Sequence, residues 1–192
     1  MSLRFTFDIV RFCADQFPDK QIFHAKKDGK WAGISAIEFA DLVDRLSLVF
    51  LSEGVAKGES VATIFSYNSY EWNIIDMALS QIGAVHLPIY PTISDSDYHF
   101  ILTQAEVRWV FITDQLLFNK ISQLRHELPL LRVIVSIEKL PSVDYFSDLM
   151  GLEISNPENL KQKLGTIKAG LSPKDVCTIL YTSGTTGFPK GV

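Results

Sequence analysis

The sequence predicts an α/β fold, a mostly parallel sheet covered by helices. Three observations carry that reading. Short apolar runs recur at residues 60–65, 84–89, 108–112, 132–137 and 176–181. Stretches with helical apolar spacing separate them. The runs are apolar along their length, as strands buried on both faces require. A chain of 192 residues with 47% hydrophobic content suits one globular domain or a large part of one. At that size about 70% of the unfolded surface can be buried, enough for a sizeable core.

The elements follow in order. Residues 7–17 read as a helix with Ile9, Val10, Phe12, Cys13 and Phe17 near one face. Residues 21–25 and 30–34 form a hairpin around Asp28-Gly29, a strong turn signal. Ser35 and Glu38 fit a capping box that opens a long helix. Phe39, Leu42, Val43, Leu46, Val49 and Phe50 keep its period, and Gly54 closes it. After the strand at 60–65, a helix at 70–82 is stopped by Gly83, with Trp72, Ile75, Met77, Ala78 and Ile82 read as core. Pro88 and Pro91 bracket the end of the strand at 84–89, so residues 89–92 leave the sheet as a turn. Ser94 caps a helix through Gln104, and a strand–helix–strand unit spans 108–137. Residues 139–170 are more polar and irregular and read as the flexible connection. Within them Asn156-Pro157 supplies a cap and a first-turn proline for a helix to Lys168. The last strand is expected at 176–181.

Composition excludes several classes. Net charge is −4, from 22 acids and 18 bases, so nucleic acid is not an expected partner. The two cysteines, Cys13 and Cys177, make no disulfide framework and no C-x-x-C. They read as small buried residues in a reducing compartment, which points to the cytoplasm. No run of 18 apolar residues and no basic-then-apolar leader is present, so neither a membrane span nor a secretory signal is expected. His24, His99 and His126 lack partners at metal-ligand spacing, so no metal site is assigned. His86 reads as a hydrogen-bonded strand histidine. No G-x-S-x-G elbow exists, which disfavours serine hydrolase chemistry.

The most chemically loaded segment closes the chain. Residues 178–192 read T-I-L-Y-T-S-G-T-T-G-F-P-K-G-V. Gly184, Gly187 and Gly191 let a backbone take positive φ and approach oxygens closely. Successive N–H groups in such a turn form an anion nest. Thr182, Ser183, Thr185 and Thr186 add hydroxyl donors, and Lys190 adds a point charge on a flexible stem. Each bond to a charged group is worth roughly 1.5–3 kcal/mol. A handful reaches micromolar affinity, which needs about 8 kcal/mol. The segment is not a Walker A loop: Pro189, not glycine, precedes Lys190. On composition alone a Gly/Ser/Thr-rich surface linker fits as well.

Residues 181–191, Y-T-S-G-T-T-G-F-P-K-G, match at every position the signature loop of the adenylate-forming superfamily. That family comprises acyl-CoA synthetases, luciferases and the adenylation domains of peptide synthetases. A second block agrees: residues 68–92, N-S-Y-E-W-N-I-I-D-M-A-L-S-Q-I-G-A-V-H-L-P-I-Y-P-T, resemble the early family stretch in its long-chain fatty acid–CoA ligase version. The opening, with its Asp19-Lys20 pair and two short strands, is also similar.

The resemblance implies a reaction. Carboxylate and MgATP give an acyl-adenylate and pyrophosphate, and the thiol of coenzyme A then displaces AMP. It assigns Thr182, Ser183, Gly184, Thr185, Thr186, Gly187 and Lys190 to the β- and γ-phosphates of ATP. ATP, Mg2+ and coenzyme A are the implied cofactor and co-substrates, and a fatty acid the implied substrate. The family's adenine, magnesium, acyl and adenylation-lysine positions lie downstream of the motif, so no catalytic residue is assignable among residues 1–192. The expectation is the amino-terminal segment of the AMP-binding large domain, truncated just after the loop, without the carboxy-terminal domain and inactive alone. Peripheral membrane contact of the full-length protein and the oligomeric state stay open. So do two other readings: an acyl-AMP ligase or amino-acid adenylation domain, and a standalone nucleotide- or phosphate-binding module.

Overall fold

A computed structural model describes residues 3–27, 30–182, 187 and 189–192. The chain divides into two compact units. The first comprises Met1–Ala56, Asn68–Gly83 and Glu153–Asp175; the second Lys57–Tyr67, Ala84–Leu152 and Val176–Val192.

The first unit is mainly helical. It holds α1 (Asp8–Gln16), the hairpin β1 (Gln21–Lys27) and β2 (Lys30–Ser35), α2 (Ala36–Ser52), α3 (Tyr70–Ile82) and α7 (Pro157–Ala169). The capping box forms as read: Ser35 Oγ accepts from the Glu38 N–H, and Glu38 accepts from the Ser35 N–H. The β1–β2 pairing also forms, antiparallel, while its Asp28-Gly29 turn lies outside the described residues. Asp44 on α2 gathers Arg11 from α1 at 2.6 Å, Gln81 from α3 at 3.0 Å and Lys168 from α7 at 3.8 Å. Burial holds the Lys168 ammonium below its ordinary pKa, with Asp44 opposing that shift.

Helix faces are where the expectations need correction here. On α1 the buried positions are Val10 and Ala14, in line with buried Phe7; Ile9, Phe12 and Phe17 are exposed. Spacings of three and four select that stripe, and the larger side chains fall beside it. On α3, Ile74, Ile75, Ala78, Leu79 and Ile82 are buried, whereas Trp72 and Met77 are only partly so. Pro157 opens α7 as expected, but Asn156 makes no side-chain cap: it sits in the left-handed region at φ 53°.

The second unit holds the sheet. Its strands are β3 (Ser60–Ile64), β4 (Val85–Ile89), β5 (Trp109–Ile112), β6 (Val133–Ser136) and β7 (Asp144–Tyr145). Its helices are α4 (Asp95–Gln104), α5 (Gln115–Leu124), which runs into a 3-10 turn at Arg125–Glu127, and α6 (Phe146–Met150). The strand order is β4-β3-β5-β6-β7 and every pair is parallel. The chain goes from β3 to β4 in one direction and returns past β3 to β5. The sheet therefore reverses its winding between β3 and β5, where open α/β sheets place a crevice at the strands' carboxyl ends.

Alternation explains the apolar runs. Ala62, Ile64, Leu87, Ile89, Val110, Ile112 and Ile134 face one cluster with Tyr98, Ile101 and Leu102 of α4 and Leu117 and Ile121 of α5. The intervening Val61, Thr63, His86, Phe111 and Val135 are buried too. Burying each large aliphatic contributes about 1.5–3 kcal/mol. His86 is satisfied as read, its Nε2 2.9 Å from Thr63 Oγ1.

One strand was not foreseen. Asp144 and Tyr145 pair with Val135 and Ser136, inside the stretch expected to be a flexible connection. Two residues held by backbone bonds leave no apolar period to read. Phe146, just behind them, is buried with its ring centroid 6.3 Å from that of Phe111.

Candidate functional site

The terminal segment joins the sheet at the free edge of β4. The His86 N–H donates to Cys177 O at 2.8 Å, and the Ile179 N–H donates to His86 O at 3.0 Å. The bridge between His86 and Thr178 is parallel, so the segment emerges at the carboxyl end of the sheet. There it changes partner. Leu180 and Val192 exchange backbone bonds of 3.0 and 2.9 Å, and β8 (Tyr181–Thr182) pairs antiparallel with β9 (Lys190–Gly191). The continuous strand expected at 176–181 is thus two short pairings. An edge segment has one neighbour, and from Leu180 onward the hairpin takes its backbone groups. Edge position also exposes Cys177, which corrects its reading as buried; Cys13 is half-buried.

The hairpin register sorts the loop residues. Thr182 lies opposite Lys190, and Tyr181 opposite Gly191. Directly opposed residues project to the same face. A hydroxyl and an ammonium therefore share one exposed face at the root of the loop. Gly187 has φ 117°, and no heavy atom lies within 4 Å of a Cβ built on it. Conformation, not space, demands glycine there. Gly191 is the reverse and corrects the expectation of positive φ: it is an ordinary strand residue. A Cβ on it would stand 3.0 Å from Ile179 Cγ2 and 3.2 Å from Tyr181 Cζ, so close approach of those side chains favours the glycine. Ser183, Gly184, Thr185 and Thr186 lie outside the described residues.

The opposite face of the root points inward. Tyr181 and Ile179 pack on the core cluster of the second unit. The Tyr181 hydroxyl donates to Gln104 Oε1 at the end of α4, at 2.9 Å, and burial raises its pKa. Sequence reasoning missed Gln104. It is a polar residue ending a helix, and nothing in its neighbourhood marks a partner 77 positions away.

Two other places offer polar groups. A cavity of about 550 Å³ has Phe100 and Leu124 in its wall together with Asp95, His99 and Glu127. Its carboxylates, Asp95 and Glu127, repel phosphate oxygens. At the reversal point of the sheet, Ser66 Oγ donates to Asp114, and Thr113 Oγ1 bonds Asp114 at 2.8 Å. Burial of Asp114 opposes ionisation, but the bonds from Ser66, Leu117 and Thr113 prevail and hold its carboxyl below the ordinary range. These groups satisfy one another across the crevice. Nearby, the Tyr98 hydroxyl donates to Tyr90 O at 3.0 Å and fastens the turn after β4; burial, then Asp95 and Asp114, push its pKa up to about 12. Among the described residues no three His, Cys, Asp or Glu side chains gather as a metal site, and no helix is long and apolar enough to cross a membrane.

A family model described as AMP-binding enzyme matches residues 10–192. The chain belongs to the AMP-binding enzyme family. Among curated relatives, the long-chain-fatty-acid–CoA ligase FadD15 of Mycobacterium bovis is 33% identical over 91% of this chain and 28% of its own length. The long-chain-fatty-acid–CoA ligase ACSBG1 of Bos taurus is 30% identical over 93% of this chain and 25% of its own. The chain thus spans under a third of these relatives. The fold is that of solved structures. A fatty acyl CoA synthetase of Mycobacterium tuberculosis superposes with a TM-score of 0.75 at 20% identity, over 97% of this chain and 33% of that one. A protein described as a long-chain-fatty-acid CoA ligase, from Rhodopseudomonas palustris, gives 0.76 at 22% identity, over 96% and 42%.

Proposed function

We propose that this chain forms the amino-terminal part of a long-chain fatty acid–CoA ligase and carries its grip on the β- and γ-phosphates of ATP. The observation that carries the reading is the root of the signature loop at the carboxyl end of a parallel sheet, with Thr182 and Lys190 on one exposed face. The names of the curated relatives support a fatty acyl substrate and coenzyme A as acceptor.

In this mechanism the fatty carboxylate attacks the α-phosphorus of ATP and the bond to the β-phosphate oxygen breaks. Pyrophosphate leaves with the electron pair. Thr182, Ser183, Thr185 and Thr186 donate hydrogen bonds to its oxygens, with Gly184 and Gly187 letting backbone N–H groups approach. Lys190 offsets charge that grows as the bond breaks. Such catalysis is positioning and preorganised charge. The thiol of coenzyme A then attacks the acyl carbon and releases AMP. Magnesium enters with its substrate, as MgATP; a hydroxyl-rich loop suits an ion that keeps its waters and rides on phosphates. A cytoplasmic enzyme in peripheral contact with membranes fits a substrate that partitions into lipid.

The test is exchange of labelled pyrophosphate into ATP by the full-length enzyme. It is expected only when a long-chain fatty acid is present. Fatty-acid-independent exchange, or none with any carboxylate, overturns the reading. Lys190→Ala is expected to lower kcat/KM for ATP about ten- to a hundredfold, the loss of one charged hydrogen bond, with little change in stability. Coenzyme A and a phosphopantetheinylated carrier protein, offered in parallel, decide the acceptor.

A further inference from the structure

The hairpin that bears the loop is two residues long on each strand. A two-stranded hairpin is marginal in water without support. Its upstream end is tied to β4 through Cys177, His86 and Ile179. Its root is tied at a second point, by Tyr181.

We infer that Gln104 is a positioning residue for the phosphate loop, acting through Tyr181. Three observations meet there. The Tyr181 hydroxyl donates to Gln104 Oε1 at 2.9 Å, joining the residue directly before Thr182 to the end of α4. The Tyr181 ring is half-buried on the core cluster, so its body is fixed as well as its tip. At Gly191, beside Lys190, an added Cβ would come within 3.2 Å of that ring, so the ring lies closely over the glycine. Tyr181 and Gly191 are register partners, as are Thr182 and Lys190 one step further toward the loop. Holding the first pair on α4 therefore sets the direction in which the second pair presents its hydroxyl and ammonium. The inference rests on the phosphate-binding reading of the loop.

The test is steady-state kinetics of the full-length enzyme with Tyr181→Phe, Gln104→Leu and both together. Each single change is expected to raise KM for ATP about three- to tenfold, as loss of one hydrogen bond implies. KM for the fatty acid should stay unchanged. The double variant should be no worse than the worse single one, because both remove the same bond. Gln104→Glu retains an acceptor and should restore KM for ATP toward wild type. Unchanged KM for ATP in both single variants overturns the inference, and so do effects that multiply in the double one. A fall in the unfolding midpoint with no change in KM also overturns it, since that is a structural role. Lys190→Ala run alongside separates the failures. If it too leaves kcat/KM for ATP unchanged, the phosphate-binding reading falls; if it alone lowers kcat/KM, only the role of Gln104 falls.

Discussion

Asp114 ties the reversal point of the sheet together, and removing its carboxylate gives a measurable loss. It caps α5, accepting from the Leu117 N–H at 3.1 Å, and accepts from Ser66 and Thr113 at the ends of β3 and β5. Losing a cap of this type costs about 1 kcal/mol. The two hydroxyl bonds to the carboxylate are discounted because the group is partly solvated, and because Ser66 and Thr113, 2.9 Å apart, can bond each other once the carboxylate is gone. They add about 1 kcal/mol more. Asp114→Ala is therefore expected to lower stability by about 2 kcal/mol, a fall in Tm of about 4–8 °C for a chain of this size. Asp114→Asn keeps a cap acceptor and should lose about half as much. The sign with pH follows from linkage. The folded-state pKa lies below the ordinary aspartate range. The contribution is complete above the unfolded value and is lost as pH falls through the folded one. Urea denaturation of wild type and Asp114→Ala should show their gap at neutral pH and its narrowing below about pH 4. A gap that is absent at neutral pH, or that persists undiminished at about pH 3, refutes the reasoning.

Two further outcomes follow from burial. Leu87→Ala empties a fully buried site in the core cluster and should cost about 2–5 kcal/mol by urea denaturation, whereas Leu116→Ala, at an exposed position, should stay within about 0.5 kcal/mol. A thiol reagent followed by mass spectrometry should label exposed Cys177 before half-buried Cys13, and equal rates would contradict the edge placement of residues 177–179.

The sheet was legible because its strands are buried on both faces. Val61, Ala62, Val110, Phe111 and Ile112 form runs that only a buried strand tolerates. Helix ends were legible where a side chain does the capping, as at Ser35 and Ser94, or where glycine takes a left-handed cap, as at Gly83 with φ 70°. Three features were hidden. The strand at Asp144–Tyr145 is held by backbone bonds, which carry no side-chain signature. The face that α1 buries depends on its neighbours, and its apolar residues lie on more than one side. The terminal segment divides its pairing between β4 and a hairpin, a choice set by which neighbours are in reach.

The loop itself was legible as a string of glycines and hydroxyls, and the family resemblance supplied the phosphate-binding role proposed for it. Its support was not. The hydrogen bond from Tyr181 to Gln104 joins residues from distant parts of the chain, and neither side chain has a local pattern that demands the other. The requirement at Gly191 was misjudged for a related reason. A glycine needed for close approach and one needed for positive φ look alike until the neighbours are in place.

The most direct measurement is a crystal structure of the full-length enzyme with Mg2+ and a non-hydrolysable ATP analogue. The β- and γ-phosphate oxygens are expected within hydrogen-bond distance, about 2.7–3.2 Å, of the Thr182 hydroxyl and the Lys190 ammonium. Terminal phosphates held elsewhere, with that face of the hairpin turned to solvent, would contradict the account.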